Sequence, residues 1–360
     1  MRFPAAALEE QARGVLAAWG LPPHAATTAA EVMVDADLAG IDSHGISMLP
    51  TYESLRGRGD LVLDVQPTTV RQNDVTAVVD AGGGLGHPVA VAAMGLACDK
   101  AAEHGVGTVA VRNSHHFGAT GYYARLAAGR GLIGLVTSSA RTVCVPPTRG
   151  AVARLATNPL AFAAPARRNA PFVLDMSTST VAVNKVKVHG YADRPLPAGW
   201  VLDGAGVPVR DPHEAMDVLR NRDEGGLTPL GGTAEMSSHK GYGLAVMVQV
   251  LAATLSGASF GALRSPGDPE DIGHFFLALD PAAFRDAGAF LDDMDDLIDT
   301  LRATPPVDPE LPVLVPGDPE AASRAERRRD GVPVPEVLHT QLRGVCERAG
   351  TPFLLTDPIG

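Results

Sequence analysis

His44 lies in Ala39-Gly40-Ile41-Asp42-Ser43-His44-Gly45-Ile46-Ser47, a polar stretch between an apolar, helix-like segment (Ala26 to Leu38) and a second helical pattern from Pro50. Two glycines around a hydroxyl and an imidazole mark a turn that can hold the ring rigidly, with Ser43 or Asp42 close enough to bond one ring nitrogen and set its tautomer. A histidine held in this way can give and recover a proton. The same residues also suit a plainer arrangement, in which Asp42 or Ser43 caps the following helix and His44 is a surface loop residue.

A second histidine-bearing stretch follows the apolar strand pattern of Val106 to Val111: Arg112-Asn113-Ser114-His115-His116-Phe117-Gly118-Ala119-Thr120-Gly121. A strand that ends in a polar loop and starts a helix brings side chains and helix N-terminal amides to one sheet edge, where ligands commonly bind. Neighbours on an extended chain point opposite ways, so at most one of His115 and His116 faces a ligand. No His-x-x-x-His pattern and no nearby Cys, Asp or Glu completes a metal shell, and no metal is expected.

Further groups come later in the chain. Phe172-Val173-Leu174-Asp175-Met176-Ser177-Thr178-Ser179 reads as a strand ending in an acid and hydroxyls, which can bond a ribose or an amide or can cap the next element. Lys240, in Ser238-His239-Lys240-Gly241-Tyr242-Gly243, stands before the apolar helix pattern Leu244 to Leu255. There it can hold an anion or remain a solvated loop lysine. Arg324, Arg327, Arg328 and Arg329 form the one dense basic run, which reads as a solvated helix face, with a cofactor phosphate as the second reading.

The elements that must position these groups alternate between helical and strand periodicity. Leu8 to Trp19, Ala25 to Leu38 and Pro50 to Arg58 read as helices, and Val75 to Asp80 as a strand running into Gly82-Gly83-Gly84-Leu85-Gly86-His87 before a helix from Val89 to Glu103. This glycine-rich turn fails the dinucleotide spacing G-x-G-x-x-G: counting from Gly82 the sixth residue is His87, and from Gly84 it is Val89. Strands at Leu132 to Thr137 and His274 to Leu279, an acidic helix at Ala289 to Leu301 and a last helix at Glu336 to Arg348 complete the pattern, with no internal repeat.

Composition narrows the class. The 360 residues are 45% hydrophobic and 20% charged, with a formal net charge of −11, which is the make-up of a soluble globular chain with an unfavourable field for nucleic acid. Three widely spaced cysteines, Cys98, Cys144 and Cys346, argue against a disulfide framework or a thiolate metal site and fit the reducing cytoplasm. No signal pattern opens the chain and no apolar run approaches a membrane span.

Five motifs in order, Asp42-Ser43-His44-Gly45, Asn113-Ser114-His115-His116-Phe117-Gly118, Thr157-Asn158-Pro159-Leu160-Ala161-Phe162, Asp175-Met176 and Lys240-Gly241-Tyr242-Gly243-Leu244, give a resemblance over residues 5 to 345. The chain resembles the non-Rossmann malate/L-lactate dehydrogenases, a family that also holds ureidoglycolate, sulfolactate and diketogulonate enzymes and a piperideine/pyrroline-carboxylate reductase. The resemblance implies an α/β fold with a mixed-sheet, non-Rossmann NAD(P)-binding domain over 116–259. A helical, substrate and dimerisation domain would combine 1–115 with 260–360. It implies a homodimeric NAD(P)-dependent oxidoreductase that moves a hydride between the nicotinamide and a 2-hydroxy or 2-oxo acid or related carbonyl. The alternative is reduction of a cyclic imino acid, and a catalytically silent scaffold is a third reading.

By the same resemblance His44 is the proton donor with Ser43 as its relay, or His116 takes the acid/base role. Thr157 sits at a substrate position. His116, Phe117, Gly118, Ala119, Thr120, Asp175, Met176, Ser177, Lys240 and Gly241 lie around the dinucleotide, with Pro316 to Arg329 as a late cofactor-contacting segment. One departure stands out: Met48 occupies the position where the family carries an arginine for the substrate carboxylate. A thioether cannot make that bidentate contact. Either another cation, Arg141 or Arg149, takes the carboxylate, or the substrate is bulkier or less charged than malate or lactate. Lys185, where imine reductases hold an aspartate, favours C=O over C=N reduction.

Overall fold

The computed structural model describes residues 1–191, 193–265 and 267–359. The first half contains β1 (Arg2–Phe3), α1 (Ala5–Ala18), α2 (Pro23–Leu38), α3 (Leu49–Gly57), β2 (Thr68–Gln72), β3 (Thr76–Gly84), α4 (Gly86–His104), β4 (Val106–Ser114), α5 (Thr120–Ala128), β5 (Ile133–Ser138), β6 (Leu160–Ala164) and β7 (Phe172–Met176). The second half adds α6 (Val183–Tyr191), β8 (Val201–Leu202), α7 (Pro212–Asn221), β9 (Gly226–Leu227), α8 (His239–Val248), β10 (Ile272–Leu279), α9 (Ala287–Arg302), α10 (Asp318–Asp330), β11 (Val332–Pro333) and α11 (Glu336–Ala349). The helix from α8 carries on as a π-helix over Gln249–Thr254.

Seven strands form one mixed sheet in the order β2-β3-β4-β10-β5-β6-β7. Only β3 and β4 run parallel, joined by α4 as a crossover; the other neighbours are antiparallel. Ile272-Gly273-His274-Phe275-Phe276-Leu277-Ala278-Leu279 is apolar almost throughout, and it takes a central place with both faces covered. At the edge, Thr-Thr-Val-Arg-Gln of β2 is exposed along its whole length, a polar rim that discourages pairing with other chains. Among the described residues the main sheet, with a single parallel pair, is not a Rossmann sheet, in agreement with the failed glycine spacing.

Three large apolar cores stand out. One packs α1, α2 and α3 with α11, from Phe3 to Leu355. A second fills the sheet between α4 and α5, and it draws on Val109, Val111 and Phe276 as well as Val136 and Ala161. The strands on either side of residue 115 therefore share one core and one sheet. The third core joins Cys144, Val145 and Leu155 to residues 181–245. Among the described residues no helix is long and apolar enough to cross a membrane.

α2 is the hinge of this layout. Its sequence Pro-His-Ala-Ala-Thr-Thr-Ala-Ala-Glu-Val-Met-Val-Asp-Ala-Asp-Leu begins with a proline at the first helical position, whose missing N–H costs nothing there. Small alanines let it lie close to its neighbours, so Met33 joins the helical core and Val32 the sheet core. Its last turn carries Asp35 and Asp37, and the chain then enters the turn that bears His44.

Candidate active site

The His44 turn is docked on α2 through a buried carboxyl. Asp37, 3% exposed, accepts a hydrogen bond from the Ile46 amide at 2.8 Å. A Cβ at Gly45 would come within 1.8 Å of the Asp37 carboxyl, so only glycine lets the turn approach this closely. Burial pushes the Asp37 carboxyl up to about 8, against the pull of the Ile46 amide bond. The Ser43 hydroxyl, one of the two neighbours expected to reach a ring nitrogen, lies 2.7 Å from His44 Nδ1. Burial also holds His44 below the ordinary histidine value of 6.5.

The structure brings His116 to the same place. The His44 and His116 rings lie 5.3 Å apart, centre to centre, tilted by 36°. Tyr52, buried on α3, has its hydroxyl 2.7 Å from His116 Nδ1, and the Gly118 amide donates to the same nitrogen at 3.4 Å. An amide can only donate, so Nδ1 is the acceptor and the neutral ring carries its proton on Nε2. Burial, followed by the nearby His44, keeps the His116 pKa well below 6.5. His87 closes the cluster edge-on to Tyr52 at 5.7 Å and to His116 at 6.3 Å. Both of its ring nitrogens are buried without a hydrogen-bond partner among the described residues, and burial drives its pKa down to about 3. The glycine-rich turn before α4 makes this packing possible: a Cβ on Gly86 would strike the His115 carbonyl at 2.2 Å.

His115 faces away, as the alternation of an extended chain requires. It is fully buried with Nδ1 3.2 Å from Glu270 Oε2, while Arg141 Nε pairs with Glu270 Oε1 at 2.5 Å. Arg141 is thus a half-exposed cation already neutralised by a buried acid. Met48 packs partly buried against the helical core. Thr157 is half-buried, and its carbonyl accepts from the Thr178 amide and hydroxyl at 2.9 and 3.1 Å. Arg149 is elsewhere, lining a cavity of about 490 Å³ with Thr148, Glu235 and Ser238.

The expected dinucleotide residues gather in part. Of these, Ala119 and Asp175 line one cavity with Gly121, Gly317, Glu320 and Arg324, which joins the Asp175 strand end to the late segment. Ala119 offers no side-chain cap to α5; instead Asp175 Oδ2 accepts the Gly121 amide at 2.7 Å. A carboxylate on that helix N-terminus makes it a poor seat for a phosphate. Asp175 Oδ1 has no donor among the described residues, and burial raises its carboxyl to about 6. A half-buried acceptor open to a cavity fits the hydroxyl donors of a cofactor ribose, so the residues present suit a dinucleotide.

The remaining cofactor candidates and the basic run are placed as follows. The Phe117 ring is core, stacked on His274 at 4.3 Å and on Tyr123 at 4.8 Å, which removes its side chain from ligand contact. Met176 packs against a small core with Leu160 and Val248, and Ser177 bonds Ser179 Oγ at 3.1 Å. The basic run is not one solvated face: Arg324 and Arg327 turn inward onto acids of α2 and the His44 turn, while Arg329 pairs with Asp330 on the surface. Thr120 is buried at the start of α5 and Gly118, with φ +82°, packs against His87. Lys240 is exposed on the first turn of α8, and Gly241 is pressed against the Leu230 backbone, where a Cβ would meet N at 2.2 Å.

Sequence reading missed Tyr52, His87, Asp37 and Glu270 as members of the site. Tyr52 and Asp37 sit at helix positions that read as amphipathic filler. His87 carried a signal, since an imidazole in a glycine turn is an unusual choice for a buried position. His274 was taken as the first residue of a strand; it bridges Ser138 Oγ at 2.8 Å and Ser114 Oγ at 3.1 Å, tying the ends of β4 and β5 across β10.

Comparison with known proteins matches this architecture. The sequence profile of the malate/L-lactate dehydrogenases matches residues 3–343. A malate dehydrogenase of Pyrococcus abyssi is 33% identical over 339 residues, covering 93% of this chain and 91% of that protein. The crystal structure of a malate dehydrogenase from Entamoeba histolytica superposes with a TM-score of 0.93 at 30% identity, over 98% of this chain and 99% of that one. The delta1-piperideine-2-carboxylate reductase from Pseudomonas syringae superposes with a TM-score of 0.82 at 29% identity, over 96% and 99% of the two chains.

Proposed function

Because the chain belongs to the malate/L-lactate dehydrogenase family and transfers a hydride between NAD or NADP and a 2-hydroxy or 2-oxo acid or related carbonyl, we propose that His44 gives the substrate oxygen its proton in reduction and removes it in oxidation. The observation that carries this is the Ser43 hydroxyl on His44 Nδ1. A hydroxyl can donate to a bare nitrogen or accept from a protonated one, so Ser43 follows the ring through both charge states. His116 is less suited to that role. Its Nδ1 faces the Gly118 amide, which repels an added proton, so His116 serves as a neutral Nε2–H donor to the substrate oxygen.

A bound nicotinamide supplies or accepts the hydride. Asp175 and the Gly317 to Arg324 turn hold the dinucleotide. Thr157 contacts the substrate, and Arg141 provides the cation for its carboxylate, in the place left by Met48. Sequence relatives are named as malate, sulfolactate and hydroxycarboxylate dehydrogenases, which supports an acid carrying a carbonyl over a cyclic imine. The enzyme is a homodimer in this reading, supported by the exposed apolar side chains of Val246, Met247, Val250 and Leu255 along one helical run. Three buried free cysteines support the cytoplasm as its compartment.

His44→Ala tests the central claim. It lowers kcat by roughly 10²-fold while dinucleotide affinity, read by nicotinamide fluorescence, stays the same. Undiminished turnover would transfer the acid/base role to His116.

A further inference from the structure

Four residues on one face of α10, Glu320, Ser323, Arg324 and Arg327, follow the spacing of a helical stripe, and each meets something other than solvent. Glu320 and Arg324 line the cavity that holds Asp175. Arg324 also pairs with Asp35 through Nε at 3.2 Å and Nη2 at 3.0 Å, and Arg125 joins Asp35 from the other side at 3.0 Å. One turn on, the contacts shift to the end of α2 and the His44 turn. Ser323 Oγ donates to the Leu38 carbonyl at 2.9 Å. Arg327 Nη1 donates to the Asp37 carbonyl at 2.6 Å and to the Asp42 carboxylate, whose other oxygen takes Nη2 at 3.3 Å.

These contacts do two things at once. Carbonyls at a helix C-terminus lack partners within the helix, and Ser323 and Arg327 supply them for α2. The same guanidinium reaches across to Asp42, two residues before His44, with only 14% of its side chain exposed. The turn is then held from both sides, by the Asp37 carboxyl beneath Gly45 and Ile46 and by Arg327 outside. Flat guanidinium geometry is needed, because one group must serve a carbonyl and a carboxylate together.

Taking His44 as the acid/base, we propose that Arg327 is a positioning residue that fixes the Ala39 to Met48 turn so that His44 meets the substrate oxygen. It touches neither substrate nor reacting atoms. A displacement of about 1 Å at the proton donor is enough to cost on the order of 10² in rate.

The test is a double-mutant cycle in the full-length enzyme with Arg327→Ala and His44→Ala, read by steady-state kinetics and by dinucleotide fluorescence titration. Arg327→Ala lowers kcat roughly ten- to hundredfold with dinucleotide Kd within twofold, and it adds no loss in the His44→Ala background. Arg327→Lys recovers only part of the rate. Should Arg327→Ala fail to fold, Asp42→Ala breaks the same pair from the turn side and gives the same signature. An equal loss in the presence and absence of His44, or a rise in Kd that accounts for the loss, overturns the proposal. His44→Ala on its own reports on the acid/base reading, so a failure there is distinct from a failure here.

Discussion

The hydroxyl of Tyr52 stands 2.7 Å from Nδ1 of His116, a bond between residues 64 apart in sequence that joins the helical core to the end of β4. It orients the His116 ring beside His44, while the Gly118 amide on the same nitrogen sets the tautomer. Tyr52→Phe keeps the packing and removes this donor. We expect kcat to fall about tenfold, with a stability loss of about 1 kcal/mol, in keeping with one buried hydrogen bond. Kinetics and thermal melting of the same preparation check both.

With His44 as the proposed acid/base, its titration sets the sign of the pH dependence. Its pKa in the free enzyme lies below 6.5 because burial disfavours the imidazolium. Reduction needs the protonated ring, so kcat/KM for the 2-oxo acid falls as pH rises through that lowered value. Oxidation needs the neutral ring, so kcat/KM for the hydroxy acid rises through the same pKa and stays level above it. Profiles measured in both directions must share one pKa; two unrelated values would rule out a common group.

Asp37 makes a prediction about stability instead of rate. Its carboxyl titrates at about 8 in the folded protein and at 3.8 when free. Between these values the native state binds the extra proton, so the contribution of Asp37 is present below pH 3.8 and is lost as pH rises toward 8. Asp37→Asn keeps an acceptor for the Ile46 amide and cannot ionise. Its melting temperature, relative to the unmodified enzyme, therefore gains steadily from pH 5 to pH 8. A constant difference across that range would show that Asp37 does not titrate there.

Arg141 and Glu270 are to be varied together. If Arg141 takes the substrate carboxylate, Arg141→Gln raises KM for 2-oxo acids about tenfold or more, in line with a lost charge-assisted contact. Glu270→Gln releases the guanidinium from its buried partner and lowers that KM. Opposite shifts in the two variants support the assignment, and shifts in the same direction would mark the pair as structural.

The local relations of the candidate site were legible before folding was considered. Ser43 beside His44 is a local relation, set by the reach of a hydroxyl to the next side chain, and the turn glycines announced it. The strands at Val106 to Val111 and His274 to Leu279 declared themselves by apolar runs, because both of their faces are largely buried, and the helix at Ala25 to Leu38 by its amphipathic period. The glycine spacing at the Gly82 turn gave no dinucleotide fingerprint, in agreement with the non-Rossmann fold that the resemblance implied. The ordered motifs carried the family and, with it, the cofactor and substrate class.

What only the tertiary structure decided are relations between residues far apart in the chain. Tyr52 on His116, Asp37 beneath Gly45, Glu270 on Arg141 and Arg327 on Asp42 join positions that no local pattern links, since each depends on how α2, α3, β4 and α10 pack. The basic run shows the reason most plainly. Four arginines within six residues look alike in sequence, yet helix periodicity turns Arg324 and Arg327 toward the acids at the end of α2 and leaves Arg329 outside. Residue type and spacing singled out the His44 turn; the packing of distant helices around it determined what holds it in place.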